Sequence, residues 1–164
     1  MNKLSKKVAL VGSFGVGKSS LFRRFIDDAF SEDYKSTLGV QIQKKVIPMN
    51  DGSELSLIIW DTEGHQEISE SRSAYLMGSH CFIYVFDVTR IDTYKNINEH
   101  LGFLKKNYPS VLLKVVGNKI DVVSLEKTKK SLADLNVNYN CLTSAKTGKN
   151  VADLFIEIAV DLTN

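Results

Sequence analysis

Short apolar runs and segments of helical periodicity alternate along this chain from one end to the other. Val8-Ala9-Leu10-Val11 is a continuous apolar run, the pattern of a strand covered on both faces. Leu21, Phe22, Phe25 and Ile26 then recur at helical spacing. Residues 40–48 and 54–60 read as strands flanking Asn50-Asp51-Gly52, a hairpin signal that makes one edge strand antiparallel. After a polar segment over 63–73 come a strand over 81–86 and a helix over about 93–106, with Ile97, Leu101 and Leu104 on one face. Pro109 resets the chain before a strand over 112–116, an amphipathic helix over 125–135 and a last strand over 139–142. Asn150 is placed to cap a closing helix that turns Val151, Leu154, Phe155, Ile158 and Ala159 inward. Six strands and five helices in this order predict an α/β fold: a six-stranded, mostly parallel sheet with one antiparallel edge strand and helices on both faces.

Composition changes this picture little. At 164 residues, with two prolines and no repeat or low-complexity linker, residues 1–164 read as a single domain. A net charge of +2 gives no argument for nucleic acid. Cys81 and Cys141 lie in apolar runs and read as buried thiols in a reducing cytoplasm. No run approaches the ~18 apolar residues of a membrane span, and the first residues lack a signal-peptide core. Asn2 excludes myristoylation, and the last residues carry no prenylatable Cys, so no direct lipid anchor is expected and any membrane recruitment falls to a partner. His80 and His100 read as surface or capping residues, and Lys105, Lys106, Lys127, Lys129 and Lys130 as solvated helix positions.

The chemistry concentrates where strands end, which is where open α/β sheets bind ligands. Gly12-Ser13-Phe14-Gly15-Val16-Gly17-Lys18-Ser19, continued by Ser20, matches G-x-x-x-x-G-K-[ST] between a strand and a helix. The glycines let successive N–H groups face one anion, and the helix N-terminus adds partial positive charge. Lys18 is placed for the outer phosphates and the Ser19 hydroxyl for magnesium. Asp61, in Asp61-Thr62-Glu63-Gly64, is a second magnesium candidate, and Gly64 allows its N–H to approach a terminal phosphate. Asn118-Lys119-Ile120-Asp121 and Ser144-Ala145-Lys146 follow the fifth and sixth strands. A carboxylate at Asp121 accepts from guanine N1–H and N2–H, whereas adenine would set an acceptor against it. The Lys119 stem can lie over the ring, Asn118 can join neighbouring loops, and the Ala145 N–H can meet guanine O6.

With these motifs the whole chain resembles a small GTPase of the Ras superfamily, Rab-like, lacking the C-terminal lipidation tail. The resemblance implies the G domain of the phosphate-loop nucleotidases, with GTP and GDP as substrate and product and Mg2+ as cofactor. It places Thr37 as the switch threonine that reaches magnesium and the terminal phosphate, and Phe30 as an aromatic edge against the base. It implies switch segments around 32–40 and 63–78, read by effectors, an exchange factor and a GTPase-activating protein, in a monomer that responds to the terminal phosphate.

Three positions depart from the pattern. Phe14 replaces a small residue beside the catalytic space, Glu63 replaces an alanine, and His65 stands where the family has the glutamine that orients the attacking water, with Gln66 next along. The segment between Asp121 and Ser144 is also several residues shorter than usual. The resemblance thus implies GTP hydrolysis, with His65, Lys18, Thr37 and Gly64 as the catalytic group and a low intrinsic rate. A nucleotide-gated adaptor that hardly hydrolyses GTP is the second reading, supported by Phe14 and His65. A phosphate-loop ATPase or kinase shares residues 12–19 but not the guanine motifs.

Overall fold

A computed structural model describes residues 3–28, 39–62 and 73–164. Thr37, Phe30, Glu63, Gly64, His65 and Gln66, and with them most of both switch segments, lie outside the described residues.

The strands are β1 (Lys3–Val11), β2 (Val40–Pro48), β3 (Glu54–Thr62), β4 (Cys81–Asp87), β5 (Leu112–Asn118) and β6 (Cys141–Leu142). They form one sheet in the order β2-β3-β1-β4-β5-β6, with β2 antiparallel to β3 and every other pair parallel. The helices are α1 (Lys18–Asp27), α2 (Ser73–Leu76), α3 (Ile97–Asn107), α4 (Leu125–Asp134) and α5 (Val151–Asp161). Alternate residues of a strand face opposite sides of a sheet. Val8 and Leu10 accordingly join α1 and α5 in one core with Leu21, Phe22, Leu154, Phe155 and Ile158. Ala9 and Val11 join Ile97, Leu101 and Leu104 of α3 and Leu132 of α4 in the other. Burial on both faces is why β1 and β4 read as unbroken apolar runs.

Several boundaries differ from the sequence reading. β1 starts at Lys3 because residues 3–7 pair in register with 54–58 of β3, which polar side chains do not prevent. β3 runs on to Thr62 because Val40 and Gln41 continue the hairpin ladder, so Asp61 belongs to the strand. β5 likewise runs through Gly117 and Asn118, opposite Phe86 and Asp87. The helix expected from residue 93 begins at Ile97. Thr93 is held in a 3-10 turn (Ile91–Thr93), where its Oγ1 donates to Arg90 O (2.7 Å) and accepts from Asp87 N–H (3.0 Å), a local alternative to helix. β6 is only Cys141–Leu142, because Asn140 Oδ1 takes the Val115 N–H (2.8 Å) that a longer ladder would use. Asn150 sits at the start of α5 but does not cap it. Its φ is 62°, and its Nδ2 donates to Leu142 O (2.8 Å), so it ties α5 to β6 instead.

The hairpin turn is as expected: Gly52 N–H donates to Met49 O (3.0 Å), and Asp51 Oδ1 accepts from Ser53 N–H (2.9 Å). Lys127, Lys129 and Lys130 are exposed. Cys81 is buried and Cys141 half-buried, and burial pushes the Cys81 thiol up to about 12. No helix among the described residues is long and apolar enough to cross a membrane.

His80 is exposed and His100 half-buried, and each bonds to a neighbouring element. His100 Nδ1 meets Tyr84 Oη at 2.6 Å, joining α3 to β4. His80 Nδ1 accepts the Lys7 backbone N–H (3.0 Å) while His80 N–H donates to Lys7 O (2.8 Å), continuing the β1–β4 register by one residue. Desolvation, then repulsion from Lys6, lowers the His80 pKa below 6.5. The unfolded chain therefore takes up this proton first as pH falls. The His80 contribution to stability should be constant above about pH 7 and decline as pH drops from the unfolded value of about 6.5 through the lower folded one. Urea titrations between pH 5 and 7.5 check this: His80→Gln should flatten the decline, and an unchanged slope would contradict the assignment.

Candidate functional site

The glycine loop leaves β1 at Gly12 and enters α1 at Lys18. Two of its glycines are dictated by close approach. Gly12 has φ 141°, and a Cβ there would overlap the Val85 carbonyl oxygen. Gly17 has φ 101°, and a Cβ there would overlap Asn118 Nδ2. A side chain at Gly12 would push β4 away from the loop, and one at Gly17 would displace the Asn118 amide that ties the loop to β5. Lys18 is buried, and its Nζ donates to Gly12 O (2.8 Å) and Ser13 O (2.9 Å), so the ammonium is held across the loop. Val16 is fully buried in the α1–α5 core, which anchors the loop from below.

Ser19, on the first turn of α1, donates its hydroxyl to Asp61 Oδ2 at 2.5 Å. Asp61 is itself buried at the end of β3. A hydroxyl and a carboxylate from two elements thus converge beside the loop. These are hard oxygen donors of the kind magnesium takes. No cluster of three or more His, Cys, Asp or Glu occurs among the described residues.

Asn118 joins three segments. Its Nδ2 donates to Val16 O (3.1 Å), and its Oδ1 accepts from the Ala145 N–H (3.1 Å) and Thr143 Oγ1 (3.2 Å). The sequence reading of Asn118 as a tie between loops matches this geometry. Lys119 adopts φ 72°, a left-handed conformation that a non-glycine residue holds only when its surroundings fix it. Its Nζ pairs with Asp87 Oδ2 (2.7 Å) and donates to Gly15 O (2.8 Å). Asp121 is exposed, and its Oδ1 accepts from Ser144 Oγ (2.6 Å). The Ala145 N–H, assigned from the sequence to a base carbonyl, is turned to Asn118, so a base oxygen there would share that donor.

Four further residues complete the frame. Arg24 of α1 donates from Nε to Ala145 O (2.8 Å) and from Nη2 to Lys146 O (2.6 Å), fixing the loop whose Lys146 side chain is exposed. Buried Asp87 accepts from Thr89 N–H (2.8 Å) and Thr89 Oγ1 (2.6 Å) as well as pairing with Lys119. Thr143 donates its N–H to Gly117 O (2.7 Å), and Arg90 donates from Nη1 to Phe14 O (3.0 Å). An aspartate closing the buried run 81–86 was the one available sequence signal.

Comparison with known proteins agrees with this geometry. The Ras family model matches residues 7–164. The chain belongs to the Ras family. Within it the chain is Rab-like: it is 38% identical over 167 residues to Ras-related protein Rab-1A of Dictyostelium discoideum, covering 96% of this chain and 80% of that one. It is 35% identical to Ras-related protein Rab-1C of the same organism, over 95% of this chain and 80% of that protein. It is 37% identical to GTP-binding protein YPT1 of Saccharomyces cerevisiae, over 93% and 76%. As a Ras-family member it is a GTP-binding GTPase switch, and its mixed six-stranded sheet is the Ras-like phosphate-loop fold.

Proposed function

We propose that this Ras-family chain is a monomeric switch, a single domain over residues 1–164, that holds GTP or GDP with magnesium and hydrolyses GTP slowly. The observation that carries the reading is the bonding of the guanine motif to the phosphate loop through Asn118 and Lys119. Base and phosphates would then be read by one rigid body. Gly12, Ser13, Phe14, Gly15, Val16 and Gly17 supply backbone donors, and Lys18 meets the outer phosphates as a point charge. Ser20 continues the first turn of α1, Phe30 would supply an aromatic edge to the base, and Asp121, with Ser144 behind it, selects guanine. Ala145 and Lys146 close the other side of the base, and Lys119 covers its face.

Ser19, Asp61 and Thr37 are the residues that would hold magnesium. When bound, it neutralises charge developing on the transferred phosphoryl group. Thr37 and Gly64 would sense the terminal phosphate and order segments 32–40 and 63–78 for effectors and regulators, the general partner classes of Rab-like proteins. His65 would orient the attacking water through a neutral imidazole.

Most of the catalysis in this reaction is positioning, and an unaided Ras-like domain with its glutamine turns over at only about 3 to 5 × 10⁻⁴ s⁻¹. A phenyl ring at Phe14 crowds the catalytic space, and an imidazole reaches less far than an amide. Unaided hydrolysis at or below that order of magnitude is expected, rising on Phe14→Gly or His65→Gln. Single-turnover phosphate release from preloaded GTP, followed from pH 5.5 to 8.5, tests it. The rate should fall as pH drops through the imidazole pKa, near ~6.5. A rate above roughly 10⁻² s⁻¹ without a partner, that of GTPases carrying their arginine in cis, would contradict slow turnover. No measurable release, with GTP retained, would instead favour the adaptor reading that Phe14 and His65 support.

A further inference from the structure

Two consecutive carbonyls of the glycine loop are each held by a cation from another loop. Lys119 Nζ donates to Gly15 O at 2.8 Å and belongs to the guanine motif. Arg90 Nη1 donates to Phe14 O at 3.0 Å and belongs to no motif. Arg90 projects from a fixed turn: its N–H donates to Asp87 O (3.0 Å), and its carbonyl accepts from Thr93 N–H (3.0 Å) and Thr93 Oγ1 (2.7 Å). Its Nη2 pairs with Asp92 Oδ2 at 3.2 Å, which holds the far side of the guanidinium. Nη1 also lies 3.2 Å from where a Cβ on Gly15 would stand, so the guanidinium packs directly on the loop.

A trans peptide is planar, with its C=O and N–H pointing in opposite directions. Pinning the Phe14 carbonyl toward Arg90 therefore turns the Gly15 N–H away from Arg90. The peptide between Phe14 and Gly15 borders a glycine with φ 72°, where rotation of the plane meets little steric resistance. An external bond is what keeps that plane in one orientation. Preorganised N–H donors are worth most when no reorganisation is needed on binding.

We propose that Arg90 is a positioning residue for the outer phosphates of the nucleotide: by holding the Phe14 carbonyl it keeps the Gly15 N–H turned into the phosphate site and slows nucleotide release. This rests on the reading of residues 12–19 as a phosphate site. Loss of the guanidinium frees the plane to rotate and removes one donor from the outer phosphates, while the base contacts at Asp121 stay as they are.

The test is the dissociation rate of fluorescent GDP and GTP from the wild-type protein and from Arg90→Ala and Arg90→Lys, together with the affinity for GMP. Arg90→Ala should release GDP and GTP about tenfold faster. Arg90→Lys, which keeps a cationic donor, should recover most of the loss. GMP affinity should be unchanged, because it has no outer phosphate. If Arg90→Ala fails to fold, Asp92→Asn should show about twofold to threefold faster release of GDP and GTP by loosening the guanidinium. Equal release from wild-type and variant, or an equal loss for GMP and GDP, would overturn the proposal while leaving the phosphate site in place. A wild-type protein that binds no guanine nucleotide would overturn the site reading, and this inference with it.

Discussion

Asp121→Asn should weaken GTP and GDP binding by at least the tenfold that ~1.4 kcal/mol represents, and should strengthen binding of xanthosine nucleotides. The substitution exchanges one carboxylate oxygen for an amide donor, which then opposes guanine N1–H or N2–H and suits the xanthine carbonyl. The carboxylate is fixed by Ser144 Oγ at 2.6 Å, and Ser144 Oγ in turn accepts the Thr147 N–H at 3.1 Å. The reading oxygen thus has a defined direction before any base arrives. Ser144→Ala should cost less than Asp121→Asn, since it removes the orienting hydroxyl and leaves the acceptor. Competition of GTP, XTP and ATP against fluorescent GDP measures both, and an unchanged guanine preference in Asp121→Asn would remove the basis for the assignment.

Asn118→Ala should have the larger effect, because it acts on binding and folding together. The side chain is buried and serves Val16 O, the Ala145 N–H and the Thr143 hydroxyl. Truncation leaves those groups without this partner, at about 1–3 kcal/mol for each one that stays unsatisfied. It also opens the space against which Gly17 is packed. Affinity for both GDP and GTP should fall on the order of a hundredfold, and the urea midpoint of the nucleotide-free protein should drop. A variant with wild-type affinity would show that the glycine loop and the 144–146 loop are held by other contacts.

Much of this was legible in the sequence because the parts that specify an α/β sheet are local. The unbroken apolar runs at 8–11 and 81–86, the helical period of 21–26 and 151–159, and the turn at Asn50-Asp51-Gly52 each identify an element without knowledge of the others. Boundaries were less legible because side chains replace backbone at the ends of elements. Asn140 takes the ladder bond of β6, Thr93 holds residues 91–93 out of α3, and Asn150 bonds β6 instead of capping α5. The phosphate and guanine motifs were visible as strings. The residues that join them were not, since Arg24, Asp87 and Arg90 act across separations that no local pattern reveals. Lys114 is a further case: a lysine inside an apolar run, it is buried on β5 and paired with Glu157 (2.5 Å) and Asp161 (2.8 Å) of α5. Burial alone would lower its pKa, but the hydrogen bonds it donates to Asp161 and Glu157, with their negative charge, outweigh that and raise it.

Asn118 and Lys119 bond the guanine motif to the glycine loop, so a guanine base and a polyphosphate should be read together. Equilibrium competition of GTP, GDP and ATP against fluorescent GDP, with magnesium present, measures this. GTP and GDP should displace the probe at similar concentrations, and ATP should be worse by roughly 10⁴-fold, the discrimination expected when a site built to hydrogen-bond its ligand is left unpaired. Displacement by ATP within tenfold of GTP would contradict it.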